Sequence, residues 1–310
     1  MGPLIADRLL SVIPVLLVIS ILAFGLQALA PGDPARMLVE ASGLTPAPEE
    51  AVEAKRQELG LDQPVHLRYA EWVTGAAQGD LGRSYRSYEP VTDLYLDRLG
   101  ATALLAVTAG SLSLLIGVPS GLLAAYRRGS TVDLLGRIIA LLGAAIPGFW
   151  IALVLMYVFS VQLGWLPAFG SVSASGMILP AVVVALPGIA IMTRLTRTAT
   201  LDALNQDYVT VARMKGLSER VVLLRHVARN ASTSVVTVFG LELAGLLTGA
   251  AVVEYVFAWP GIGRLAIDAV LLRDIPVVVG FAVFAGLIFL TINLIADICV
   301  ALIDPRIRST

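Results

Sequence analysis

Long apolar stretches dominate this chain, and polar residues interrupt them at a few well-separated places. A helix needs about 20 consecutive apolar residues to cross the hydrocarbon of a bilayer. Six stretches reach that length: 9–30, 102–126, 134–163, 177–195, 235–257 and 277–303. The pattern predicts an all-α integral membrane protein with six transmembrane helices. The first stretch follows Arg8 as a signal sequence would. It is too long for a typical signal core, and no small-residue cleavage site separates it from Pro31, so it reads as a retained anchor. Pro14, Pro119, Pro147, Pro180 and Pro187 lie inside the stretches. Each frees a backbone carbonyl that water or a neighbouring helix must satisfy, which suits a kinked bundle around a pathway or plainly tolerated bends.

Six spans put both termini on one side, and the positive-inside rule chooses which. Arg8, Arg127, Arg128, Arg306 and Arg308 share a face with Arg194, Arg197, Arg213, Lys215, Arg220, Arg225 and Arg229. The opposing loop 164–176 is uncharged, and in 258–276 Arg264 and Arg273 balance Asp268 and Asp274. The termini are therefore expected to be cytoplasmic. The division that follows is 1–30 for a stub and first helix, 31–97 for an external region, 98–303 for a five-helix core and 304–310 for a tail. A cytoplasmic loop, 196–233, interrupts the core.

Composition agrees: of 310 residues, 57% are hydrophobic and 15% charged. Ordinary soluble chains carry about 25% charged residues, a need that lipid removes. The net charge of −1 says nothing about nucleic acid, but there is no basic domain, and no nucleic-acid partner is expected. One cysteine, Cys299, and two histidines, His66 and His226, leave no disulfide framework and no expected metal site. Lys55 precedes Arg56 and Lys215 precedes Gly216, so neither lysine completes a phosphate-cradling Gly-Lys-Ser/Thr loop. The chain is expected to be no enzyme and to carry no cofactor of its own.

The loop 196–233 is longer than a turn requires. Leu201, Leu204, Tyr208, Val211 and Ala212 recur at spacings of three and four, on one face of a helix. Gly216 stands where a left-handed cap would end it, and Ser218 and Glu219 are placed to open a second helix. Helix, glycine turn, helix is the expected form. It is either an amphipathic hairpin on lipid headgroups or an element that a soluble partner grips.

The run Asp207, Tyr208, Val209, Thr210, Val211, Ala212, Arg213, Met214, Lys215, Gly216 and Leu217 resembles the EAA loop of ABC importer permeases. The continuation Ser218, Glu219, Arg220, Leu224, Arg225, His226, Arg229 and Asn230 is similar to the B-type membrane subunit of dipeptide and oligopeptide importers. The likeness runs along the chain, through Ala30–Pro34, Leu59–Pro64, Gly79–Ser84, Pro147 with Phe149 and Trp150, Gln162–Pro167, Glu254–Arg264 and Leu302–Ile307. Two positions depart from the pattern: the triplet Thr210, Val211, Ala212 lacks its glutamate, and Ser234 stands in place of a proline. The resemblance implies a type I ABC importer transmembrane fold in a bacterial inner membrane. It also implies a second homologous (C-type) permease subunit, one or two ABC ATPase subunits that hold ATP and Mg, and an extracytoplasmic substrate-binding protein. In that scheme the ATPases pull on the loop around Gly216. Ala212 and Gly216 are small so that a partner groove closes over them. The branch handles peptides, nickel chelates, glutathione and haem-like cargo.

Charges within spans are expensive and usually functional or paired. Glu242, mid-span in the fifth stretch, is a candidate pathway carboxylate for a peptide ammonium or else a carboxyl bonded between helices; Pro147 and Trp150 join it as pathway candidates. Arg137 and Asp297 lie nearer the cytoplasmic boundary, where snorkelling or pairing accounts for them. Trp259, Pro260, Gly261, Gly263 and Arg264 form a stiff external turn, the candidate docking loop for the binding protein. A helix over 48–60 is expected in the external region. An ion-coupled secondary transporter using Glu242 or Asp297 is the rival reading, but it gives the basic loop no role.

Overall fold

A computed structural model describes residues 13–25 and 32–303. Arg8, Ala30, Pro31, the tail 304–310 and the ends of the first apolar stretch lie outside the described residues. Helices make up 77% of the structure. Among the described residues there is no strand, only an isolated bridge between Arg83 and Pro90. The chain divides into two compact units, one of residues up to Gly100 with Gly261–Ile288, the other of Ala101–Pro260 with the residues from Phe289 onward.

In the first unit, α1 (Ile13–Gly25) is a short apolar helix. Three small helices follow: α2 (Pro34–Ala41), α3 (Glu49–Glu58) and α4 (Val65–Ala76). Their starts are written in the sequence. Asp33 caps α2 by accepting from the Ala35 N–H at 3.0 Å, with proline at the first helical position. Pro48 opens α3 within the expected 48–60, with Glu49 and Glu50 in its first turn and Lys55 and Arg56 in its last, both favourable to the helix dipole. Tyr95 is fully buried, stacks on Phe284 at 5.2 Å and donates its hydroxyl to the Val277 carbonyl at 2.8 Å. Asp274 is buried and accepts from the Ser84 hydroxyl and, at 3.0 Å, from the Tyr85 N–H.

In the second unit the core gathers Leu105, Ala109, Val183, Ala185, Phe257 and Trp259. Lipid tails are as apolar as leucine, so helices in a bilayer associate through close packing rather than expulsion of water. Small residues serve that purpose. A Cβ on Gly121 of α5 (Val91–Tyr126) would stand 2.6 Å from the Thr193 carbonyl oxygen of α8 (Ala174–Leu204), so the two helices touch backbone to backbone there. The outward faces are apolar: Leu115 is 72% exposed, and Val107, Leu141 and Val161 also face outward. Such a surface suits lipid.

Among the described residues, three helices are long and apolar enough to cross a membrane: α5, α8 and Ile275–Ile295 within α14 (Ile275–Ile303). Several expected boundaries shift. The second stretch begins as helix at Val91, inside what the sequence reads as external loop. The third, 134–163, is two helices: α6 (Thr131–Ala145) and α7 (Gly148–Leu155), the latter continuing as a π-helix over Met156–Gln162. Pro147 separates them. It is the N-cap of α7 with extended backbone, and proline also disfavours helix in the residue before it. The fifth stretch belongs to α11 (Ala228–Gly249) and α12 (Ala251–Val256), parted at Ala250, and α13 (Ile262–Leu271) follows. The backbone stays helical through Ser234, where the resemblance expects a proline.

Candidate functional site

The loop expected at the cytoplasmic face is shorter than 196–233, because helix takes both its ends. α8 runs to Leu204, and helix resumes at α10 (Glu219–Val221), passing through a π turn (Val222–Val227) into α11. What lies between is a turn at Asn205 and Gln206, then α9 (Asp207–Met214), then the glycine turn. Asp207 lies in the first turn of α9 and Arg213 in its last, each at the end the dipole favours.

Gly216 adopts φ +77°, a conformation that costs other residues a clash with their own Cβ. It allows two closing bonds: the Gly216 N–H donates to the Arg213 carbonyl at 2.9 Å, and the Leu217 N–H to the Ala212 carbonyl at 3.4 Å. That pair of bonds is the Schellman closure. Arg213 then reaches across the turn to Glu219, with Nε on Oε1 at 2.7 Å and a terminal nitrogen on Oε2 at 3.1 Å. This contact, chiefly its hydrogen bond, holds the Glu219 carboxyl below its ordinary range. A spacing of six residues matches no helical pairing rule, so periodicity does not reveal it. Ser218 starts the second helix with extended backbone but makes no side-chain cap bond.

Underneath, Val209, Ala212, Val222 and Val227 are buried with Ala203 in a small cluster flanked by Leu204, Tyr208 and Leu223. This corrects the predicted face. The break at Asn205 resets the helical phase, so Val209 and Ala212 point inward while Val211 is 49% exposed. Ala212 is small because α9 packs closely there, not because a partner groove closes over it. The outer surface of the element carries Thr210, Val211, Met214, Lys215 and Leu217, with Met214 82% exposed. Behind it, Arg197 of α8 binds Asp133 of α6 through two bonds of 2.7 and 3.0 Å. Asp133 is almost wholly buried and also accepts from the Gly129 N–H at 3.1 Å.

The other predicted residues separate. Glu242 is half-buried on α11 at a cavity of about 530 Å3 that includes Gly148 and Phe149. Pro147 and Trp150 are exposed and do not line it, because the N-terminus of α7 turns its first two residues to the cavity instead. Trp259 is fully buried, donating its indole N–H to the Ala101 carbonyl at 3.1 Å. It pins the turn rather than presenting a surface. Its backbone N–H bonds the carbonyl of Glu254, whose own side chain is buried and accepts from the Thr102 hydroxyl at 2.7 Å. Pro260 is exposed, Gly261 and Gly263 are buried, and Arg264 pairs with Asp268 at 3.7 Å.

A helical membrane bundle with a rigid element exposed between two of its long helices defines a class, the transmembrane subunits of ABC importers. The structure matches a chain of the inward-facing MetNI methionine ABC transporter at TM-score 0.54 and 17% identity, covering 70% of this chain and 99% of that one. A chain of an amino acid ABC transporter solved with histidines matches at TM-score 0.50 and 20% identity, over 69% and 94%. The shared feature is the type I importer fold. Two family models cover the sequence: the binding-protein-dependent transport system inner membrane component over residues 117–309, and the N-terminal domain of such membrane components over 1–106. A Brucella abortus relative named for a peptide transport system permease is 42% identical across 99% of both chains. The glutathione transport system permease GsiC of Escherichia coli is 41% identical across 98% of both.

The chain therefore belongs to the binding-protein-dependent transport system inner membrane components, as an ABC importer permease of the dipeptide and oligopeptide type. It is a multi-pass protein of the bacterial inner membrane, in a family that works with ATPase and substrate-binding-protein partners. Nothing in these matches supports the ion-coupled alternative.

Proposed function

We propose that the chain forms half of the translocation pathway of an ATP-driven peptide importer, beside a second, C-type permease. One or two ABC ATPase subunits bind ATP and Mg, and an extracytoplasmic binding protein delivers the peptide. The permease itself makes and breaks no bonds; its task is mechanical. With the termini cytoplasmic, the element from Asp207 to Leu217 faces the ATPases. Tyr208 fixes α9 to the cluster beneath, while Thr210, Val211, Met214, Lys215 and Leu217 meet the partner and Arg213 holds the glycine turn rigid. On the opposite side, Pro260 and Arg264 are the parts of the 259–264 turn open to a binding protein, and Trp259, Gly261 and Gly263 shape it. The peptide substrate is supported by the names of the relatives above.

One observation carries this reading: Val211, Met214 and Leu217 stand exposed on a loop element braced from below and across its turn. Exposed apolar side chains on a rigid, non-lipid surface mark a protein interface. The test is a Met214→Cys variant of the assembled transporter. Cross-linking to a cysteine in the groove of the ATPase, in yields that change with ATP, is the expected result. If no ATPase chain co-purifies and no cross-link forms, the reading fails.

A further inference from the structure

The cavity beside Glu242 has a wall that specifies its ligand. Phe149, Val238, Leu241 and Val253 make it apolar, and Glu242 is the one charged residue among those lining it. Among the described residues the Glu242 carboxyl has no hydrogen-bond or ion-pair partner. The described side chains nearest to it supply none. A Cβ on Gly188 would stand 2.4 Å from Ser113 Oγ and 3.3 Å from Glu242 Oε1, so the absent side chain lets both groups flank α8. The Ser113 hydroxyl is already spent, on the Ala109 carbonyl at 2.9 Å and the Ala185 carbonyl at 3.2 Å. Pro187, also in the wall, has no N–H, so the carbonyl of Val183, another wall residue, lacks its usual helical donor. No side chain among the described lining residues is a donor. Among the described residues, the side chains of the wall offer one anionic acceptor and no donor; the first N–H groups of α7, on Gly148 and Phe149, are its backbone donors.

A carboxylate in an apolar wall calls for a cation that brings its own N–H groups. A primary ammonium has three. The volume, about 530 Å3, suits a small ligand and not a bare ion. We propose that this cavity binds the terminal ammonium of a passing peptide, with Glu242 as the anion that receives it and the apolar wall holding the adjacent side chain. The inference rests on the peptide reading above and assigns it a waypoint inside the permease.

The test uses the assembled transporter in proteoliposomes with trialanine and N-acetyl-trialanine. In the Glu242→Gln variant, uptake of the free peptide is expected to fall about tenfold, the scale of one bond to a charged group, with the acetylated peptide little changed. A second measurement needs no uptake. In a Cys299→Ser background, Val238→Cys is expected to react faster with a cationic methanethiosulfonate than with an anionic one. Glu242→Gln should shrink that ratio about tenfold, by removing the one nearby charge. An unchanged ratio, or equal loss of uptake for both peptides, overturns the inference and leaves the peptide reading standing. If the unmodified transporter imports neither peptide, the peptide reading falls and takes this inference with it.

Discussion

Gly216 and Ala212 show two ways in which a small residue acts. Gly216 matters for its backbone: at φ +77° a Cβ costs about 1–2 kcal/mol, and a β-branched side chain adds to that. The Gly216→Val variant is expected to loosen the two closing bonds and lower ATP-driven uptake several-fold while the bundle still folds, which uptake and thermal unfolding measured together will check. Ala212 matters for its volume, because it is buried against Val209, Val222 and Val227. Ala212→Leu should overpack that cluster and destabilise by about 1–3 kcal/mol, seen as a lower unfolding midpoint in detergent. Sequence marks both positions as small but does not separate the two reasons, since periodicity carried across Asn205 groups the exposed Val211 with the buried Ala212.

At the scale of elements, two ionic contacts brace the loop between α8 and α11 and the helices behind it. Arg213 to Glu219 spans the glycine turn at the surface. The Glu219 carboxyl is held below its ordinary range, so the contact stabilises the turn above that range and is lost as pH falls through the lowered value. The protection of the α9–α10 amides, relative to an Arg213→Ala variant, should be present at neutral pH and disappear in acid; hydrogen exchange reads this. Asp133 to Arg197 is the deeper contact, joining α6 to α8. Losing one partner strands a buried charge, whereas losing both does not. Asp133→Asn or Arg197→Met alone should each cost about 2–3 kcal/mol, and the double variant less than the sum, in a double-mutant cycle on thermal stability. Hydropathy misses this pair, because it sees Asp133 as one charge at the edge of an apolar run.

For the whole molecule, the basic residues of the loops set the expected orientation. Cysteines added at either terminus should react with a membrane-impermeant thiol reagent only from the cytoplasmic face. Labelling from outside would reverse the roles proposed for α9 and for the 259–264 turn. The spans are unequal: α5, α8 and part of α14 are long and apolar enough alone, whereas the third is two helices, α6 of about 22 Å and α7 of about 12 Å before its π continuation.

Apolar length and spacing by themselves determine that the chain is helical, that it lives in lipid, and that one basic interruption carries a helix ended by glycine. These follow from local rules: the cost of an unbonded backbone in hydrocarbon, and the steric cost of positive φ. Tertiary structure decides what no local rule contains. It turns Val211 out and Ala212 in, because the phase of α9 is set by packing on the helix that follows Gly216. It buries Trp259, the residue that looks most like a docking anchor, because an indole N–H finds the Ala101 carbonyl 158 residues away. It also leaves Glu242 without a partner among the described residues, beside a cavity, since the groups that surround a side chain come from helices distant in sequence.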